Sequence, residues 1–373
     1  MNKTDVAIVG GGIIGLAHAY AAWKKGYQVV LFEKDETAVG ASVRNFGLIW
    51  PIGQPQGKLF ERAIRSREIW LKLAVEADFW ALQNGSLHLA YHQDEMDVLN
   101  EYHQKFGFKT SVLNPIEVQT VSSISNSKGL LGGLFSELEV NVNPREAVSS
   151  ITDWLRAQDS VTIITGEKVV HTETGRLTAV SGEWQADMIY ICSGSDFQSL
   201  YSNAFRSSGL IKSKLQMMKA VSSVQEVSKG PTLCGGLTLK HYQSFAECQG
   251  TAKLIQRLNE ELPLYHKYGI HVMISKNQAG EWIIGDSHEY GLTFDPFNKA
   301  DINKLILDYL SGFCTVAGNG MKITETWYGV YAKNPAGTEY TFEPETGVKI
   351  VTGFGGAGMT FSFGFAEEEI EKL

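Results

Sequence analysis

The sequence is poor in cysteine, with only Cys192, Cys234, Cys248 and Cys314 in 373 residues. None forms a C-x-x-C pair, and none has a histidine nearby at zinc spacing, so neither a disulfide framework nor a zinc site is expected and no metal is assigned. Reduced thiols in a cytoplasmic protein are the simplest reading. A basic excess is also lacking: 33 Lys and Arg stand against 41 Asp and Glu, a formal charge of −8. Nucleic acid and anionic membranes are therefore excluded as partners, and small molecules are expected instead. No apolar run reaches membrane-spanning length, so no transmembrane segment is expected. The apolar start, Val6 to Leu16, follows Asp5 and is cut by four glycines, which reads as a strand and turn rather than a secretory signal. At 43% hydrophobic and 20% charged, the chain has the composition of a globular protein long enough for two domains.

The strongest pattern lies in this first stretch. Val6 to Val9 is an apolar strand, Gly10-x-Gly12-x-x-Gly15 is a turn opening a helix near Ile13 and Ile14, and Val29 to Phe32 is a second strand ending at Glu33. In such a βαβ unit the first glycine permits the turn, the second lets backbone approach a pyrophosphate, and the third lets helix and strand pack closely. The helix N-terminus offers unpaired N–H groups to phosphate. An acid at Glu33 suits both hydroxyls of an adenosine ribose and argues against a 2′-phosphate, leaving FAD or NAD.

Lys34 to Gly47 follows as a polar loop with small residues, where Ser42, Arg44 and Asn45 can bond a flat ligand. Apolar spacing predicts helices over 58–84, with Phe60, Ile64, Leu71 and Val75 on one face, and over Asp94 to Phe106, where His103 reads as a packing residue. Another is expected from Glu146 to Ala157. Strands are predicted at Ser86 to Tyr91, Val161 to Ile164, Lys168 to His171 and Leu177 to Ser181. Met188 to Cys192 then returns to the parallel sheet and ends in Ser193-Gly194. Antiparallel strands are predicted at Lys219 to Val224, Thr238 to Ser244, His271 to Ile274 and Trp282 to Ile284, with Ala279-Gly280 as a hairpin turn. Helices are predicted at Leu254 to Leu262 and from Asp301 to Leu310, the latter ending at Gly312. Near the end, Ile350 to Thr352 enters a second glycine cluster before a helix from Phe361 to Leu373. This reads as a second phosphate or flavin cradle made by Gly353, Gly355, Gly356, Ala357, Gly358, Met359 and Thr360.

Taken in order, these segments resemble the D-amino-acid oxidase, glycine oxidase and sarcosine oxidase superfamily of FAD enzymes. The βαβ unit, Val142-x-Pro144, Ile191 to Gly194, His271 to Gly291 and Thr352 to Thr360 carry the resemblance. It implies an α/β fold, α+β overall. A Rossmann-like FAD-binding domain would comprise 1–85, 140–212 and 315–373, with an interleaved antiparallel-sheet substrate domain at 86–139 and 213–314. Besides the two glycine clusters, the implied FAD contacts are Glu33, Lys34, Ser42, Arg44, Asn45, Val169, Ser193 and Gly194. Ala41 to Pro51, Lys214 to Met217 and Trp327 to Ala332 are more narrowly similar to a subgroup associated with aminophosphonate breakdown.

One departure bears on the substrate. Many relatives carry W-x-G-x-R, whose arginine clamps a carboxylate with a planar fork. Here Trp327, Gly329 and Tyr331 fill that frame, so the arginine slot holds tyrosine. A cation for an anionic substrate must come from elsewhere: Lys333, on the same strand face as Tyr331; Arg44; or the stretch Lys240, His241, Tyr242. His271, His288, Tyr290 and Tyr331 are expected to position substrate rather than act as acids or bases. Sarcosine oxidases attach FAD through a cysteine near this strand, whereas no cysteine occupies 315–373 here, which implies non-covalent FAD. The implied reaction is oxidation of the C–N bond of a small amine or amino-acid analogue, such as N-methylated 2-aminoethylphosphonate. Hydride passes to flavin and the imine is hydrolysed to a carbonyl compound and an amine; oxygen or another acceptor takes the electrons. Alternatives are an FAD-dependent 2-hydroxy acid dehydrogenase or oxidase, and a non-catalytic FAD-binding subunit.

Overall fold

The computed structural model describes residues 2–222, 230–318 and 320–373. Strand β1, Asn2–Val9, is buried on both sides because it lies between two parallel neighbours. Val6 pairs with Met188 of the strand Gly182–Ile191 on one side and with Val29 of β2, Val29–Phe32, on the other. This placement accounts for a run of apolar residues without alternation. Val161–Ile164 extends the sheet beyond β2. Val348–Thr352 lies parallel to Gly182–Ile191, which brings the second glycine cluster to the same edge as the first.

Helix α1, Ile13–Lys24, and the C-terminal helix Gly358–Ile370 share one core with the helix Lys58–Glu76. Phe363 packs edge-on against Tyr20 at 5.6 Å and Trp70 at 5.2 Å, and the Trp70 indole N–H donates to Met359 O at 2.9 Å. A side chain at Gly364 would meet Arg62 O at 2.5 Å, so glycine there lets two helices touch. Arg62, 5% exposed, crosses that contact to Glu368 at 2.7 Å and Glu339 at 2.9 Å.

A second, nine-stranded sheet is organised on Ile211–Val221. Its neighbours run antiparallel: Lys322–Lys333, Trp282–Gly285 and Glu289–Gly291. Ser213 lies between Tyr331 and Tyr290, so those two tyrosines flank one position of the central strand. Because Lys322–Lys333 hydrogen-bonds along Ile211–Val221, it belongs to this sheet and not to the dinucleotide sheet, although it falls within the 315–373 expected for the FAD-binding domain. Among the described residues, no helix is long and apolar enough to cross a membrane.

Several elements differ from the sequence reading. The first long helix stops at Glu76 rather than 84: Asp78 takes a positive φ of 51°, and Ala81–Gln83 pairs as a strand with Val140–Val142. Val75 is accordingly 84% exposed. Thr238 to Ser244 is not a strand but two short helices, Leu237–His241 and Gln243–Ala246. Leu237, Thr238 and Leu239 are buried consecutively, which a half-buried strand does not allow. The strand expected from Lys219 begins at Ile211, and Val224 lies outside the described residues. His271 stands just before its strand, Met273–Lys276, and the helix Ala300–Phe313 runs past Gly312.

Candidate active site

The three glycines of the first turn are explained by what a Cβ would meet. At Gly10, with φ 111°, it would lie 2.4 Å from Cys192 O; at Gly15 it would lie 1.9 Å from Gly10 O. At Gly12 it meets only the Ser42 hydroxyl, at 3.0 Å, on the cavity side. Ser42 Oγ accepts from the first amide of α1, Ile13 N, at 2.8 Å. The Glu33 carboxylate is held at the end of β2 by Gly11 N at 2.7 Å and Asp35 N at 3.1 Å, and each oxygen keeps a lone pair for a further donor.

The cavity above this turn is closed by the other chain end. Gly353, Gly355, Gly356, Gly358 and Met359 line it opposite Gly10, Gly12, Ile13 and Ile14. Lys34, Ser42, Asn45, Val169, Ser193 and Gly194 line its length together with Glu33. An added Cβ at Gly194 or Gly356 would meet nothing within 4 Å, so both face open space. Thr352 Oγ1 donates to Gly194 O at 2.8 Å and joins the two walls. An acid, a helix N-terminus and two glycine walls form a donor and acceptor set that fits FAD.

Four of the expected cofactor residues do not line the cavity. Gly15 serves the helix–strand contact, and Ala357 is held in the turn by its N–H on Phe354 O at 3.1 Å. Thr360 Oγ1 accepts from Trp50 N at 3.0 Å. Arg44 lines a separate cleft with Arg145, Trp327 and Tyr328, and its Nη1 donates to Tyr328 O at 3.4 Å. Asp196 also lines the cavity but carries no motif that marks it in the sequence, and Cys192, at the end of the returning strand, lines it too; burial pushes the Cys192 thiol up, so it stays protonated.

Tyr331 joins this cavity to the second sheet. It lines the cavity and donates its hydroxyl to Arg44 O at 3.3 Å, an approach that Gly329 permits because a Cβ there would sit 3.0 Å from the same oxygen. Burial, and then the nearby charge of Asp286, raise its phenol, which remains a neutral donor. Lys333 bridges by backbone to Phe354 in the C-terminal glycine turn, while its ammonium lies 3.3 Å from Tyr290 Oη and over that ring. Among the described residues, no carboxylate forms an ion pair with Lys333.

Beyond Tyr290, whose ring is 6.2 Å from that of His288, three histidines converge. His241 ends a short helix, His271 precedes one strand and His288 follows another. Their ring centroids are 3.8 Å (241–271), 4.8 Å (241–288) and 5.4 Å (271–288) apart. His288 Nδ1 lies 2.9 Å from Gly269 O; a carbonyl only accepts, so Nδ1 carries the proton and Nε2 is left as an acceptor. His271 Nε2 lies 2.9 Å from Asp286 Oδ1, and its Nδ1 is buried without a partner. Asp286, 4% exposed, was not singled out from sequence; its only signal there was proximity to His288. Burial lowers both His241 and His288. The His241 residue is exposed, yet its ring is enclosed by the other two imidazoles and by Tyr242 at 5.0 Å. Tyr242 packs against Gly53 and Trp50, and Lys240 turns away to Asn259 and His266. Trp327, expected near substrate, lies in the separate cleft with Arg145 5.7 Å from its ring.

Comparisons with known proteins agree with this geometry. A family described as FAD dependent oxidoreductase (DAO) matches residues 5–369. Glycine oxidase of Bacillus licheniformis is 28% identical over 206 residues, which is 52% of this chain and 54% of that protein. D-amino acid dehydrogenase of Helicobacter pylori is 47% identical over 47 residues, covering 13% and 12% of the two chains. The matched part thus spans about half the length of the first of these curated relatives and less of the second. Among solved structures, glycine oxidase from Geobacillus kaustophilus superposes with a TM-score of 0.79 at 19% identity, covering 100% of this chain and 95% of that one. FAD-bound L-alpha-glycerophosphate oxidase from Mycoplasma pneumoniae gives 0.75 at 16%, covering 100% and 96%. The chain belongs to the DAO family of FAD-dependent oxidoreductases, and FAD is its cofactor.

Proposed function

We propose that the protein oxidises the C–N bond of a small amine that carries an anionic group. The observation that carries this reading is the hydrogen bonding of the histidines: His271 Nδ1 and His288 Nε2 are left as acceptors, which suits donors on a substrate rather than an anion. An amine with two or three N–H bonds satisfies both acceptors, whereas a hydroxyl has one hydrogen to give. FAD, when bound, accepts a hydride from the carbon bearing the amine. His271, expected from the sequence only to position substrate, is here also given the proton that the substrate ammonium loses, at Nδ1, with the Asp286 carboxylate 2.9 Å from Nε2 as the balancing charge. Water then converts the imine to a carbonyl compound and the released amine.

Lys333 is the cation suited to the substrate's anionic end, since no acid among the described residues neutralises it. With tyrosine in the arginine position and its hydroxyl on Arg44 O, the bidentate carboxylate clamp is missing. A single ammonium binds as a point charge and suits a phosphonate as well as a carboxylate. This supports an aminophosphonate, including N-methylated 2-aminoethylphosphonate, as the substrate class. Glycine oxidase and D-amino acid dehydrogenase among the relatives favour the C–N reaction. Anaerobic mixing with glycine, sarcosine, D-alanine, 2-aminoethylphosphonate and its N-methyl form tests the reading. Bleaching of the flavin by the phosphonates supports it, and bleaching by D-alanine alone overturns the role given to Tyr331 and Lys333.

A further inference from the structure

We propose that His241, His271 and His288 form a transition-metal site that takes a borderline divalent cation such as Zn2+, and that this cation and the amine substrate exclude one another. One ring nitrogen from each histidine can be chosen so that the three lie within 4.8 Å of one another, and His241, stacked on His271 at 3.8 Å, must turn out of that stack to aim its lone pair at a shared ion. Metal–nitrogen bonds of about 2.0–2.1 Å place tetrahedral ligands roughly 3.4 Å apart, so the cluster must close by up to about 1.4 Å. His241 is the member able to move: it ends a five-residue helix, is exposed, and its side chain forms no hydrogen bond among the described contacts.

The other two are held as metal ligands are held. A ligating imidazole usually gives its second N–H to a carboxylate or a backbone carbonyl, which fixes the ring and turns the free nitrogen toward the ion. Here Asp286 faces His271 Nε2 and Gly269 O accepts from His288 Nδ1. The free nitrogen of His271 is buried, the residue being 3% exposed, and unpartnered, a costly arrangement unless something occupies it. Three imidazoles and no thiolate suit Zn2+, Ni2+ or Co2+ and leave positions open for water. Lys333 adds an opposing charge on the Tyr290 side, and Asp286 offsets it. The three histidines come from separate segments, which is why no metal spacing is visible in the sequence.

Occupation would consume the lone pairs that the amine uses, so exclusion rests on the proposed function while the metal site itself does not. Equilibrium dialysis of the FAD-loaded protein against buffered Zn2+, with metal content read by elemental analysis, tests the site without any substrate. One equivalent should bind at micromolar free Zn2+. His241→Ala and Asp286→Asn should each weaken binding at least about tenfold, and His103→Ala, outside the cluster, should leave it unchanged. Absence of stoichiometric binding, or equal affinity in the His241→Ala protein with its thermal stability intact, overturns the metal site. For a turned-over amine, Zn2+ should raise KM and leave kcat unchanged. One bound equivalent with no change in KM overturns the exclusion alone.

Discussion

Gly12 and Gly15 lie three residues apart in one turn, and the structure predicts opposite consequences for adding a methyl group to each. At Gly15 the new carbon would lie 1.9 Å from Gly10 O and 3.3 Å from Ile8 Cγ2. Ordinary contact needs about 3.5 Å, so α1 would have to lift by roughly 1.5 Å from β1. Both obstructing groups belong to the sheet side of one core, and overpacking of this kind costs about 1–3 kcal/mol. At Gly12 the backbone already has φ −73°, which alanine adopts freely, and the methyl meets only the movable Ser42 hydroxyl. Gly12→Ala should therefore leave the FAD-free protein within about 0.5 kcal/mol of the parent. The same methyl occupies the cavity side of the turn, where a pyrophosphate would approach the N-terminus of α1. FAD affinity should fall at least about 100-fold, equivalent to about 2.7 kcal/mol. Thermal unfolding of FAD-free protein and fluorescence titration with FAD separate the two effects. Equal loss of apo stability in both variants, or FAD binding within about threefold of the parent in Gly12→Ala, would refute the assignment of the two glycines.

His88 is buried between Trp50 and Phe245, with neither ring nitrogen partnered, and burial lowers its pKa to about 3. The unfolded chain takes up this proton first, so stability is full above about pH 6.5 and is lost as pH falls below it; by pH 4 the loss is about 3 kcal/mol. His88→Phe should flatten that acid limb in denaturant midpoints measured against pH, and an unchanged slope would count against it. Lys333→Met should raise KM about tenfold or more for an anionic amine and change it little for an uncharged one of similar size; equal effects on both would remove Lys333 from substrate binding. Arg62→Met should cost about 2–4 kcal/mol, because it strips the ion pairs to Glu339 and Glu368 at a close helix contact, and the unfolding temperature reads it directly.

The nucleotide half was largely legible because its constraints are local. A strand buried on both faces must be apolar throughout, and the glycines of the turn mark places where backbone meets backbone, so Val6 to Gly15 and Ile350 to Gly358 declare themselves. The parallel return of Met188 to Cys192 could be read for the same reason. The second sheet and the segments packed on it were less legible because their features depend on distant partners. Thr238 to Ser244 alternates in type, yet its burial is consecutive, and the helices form where it packs. Arg44 lies in the separate cleft with its guanidinium on Tyr328 O, a partner far away in the sequence. Asp286 acquires a role only when the fold sets it against His271.

Reduction of the bound flavin by an amine is what the proposed reaction requires. The deciding measurement is anaerobic single turnover with matched pairs differing only in the amino or hydroxyl group on the reacting carbon, following flavin absorbance and carbonyl product together. The amine member of a pair should bleach the flavin and release one carbonyl per FAD, with its hydroxy counterpart inert. Bleaching by the hydroxy member alone, or a flavin that no amine of the panel reduces, would contradict it.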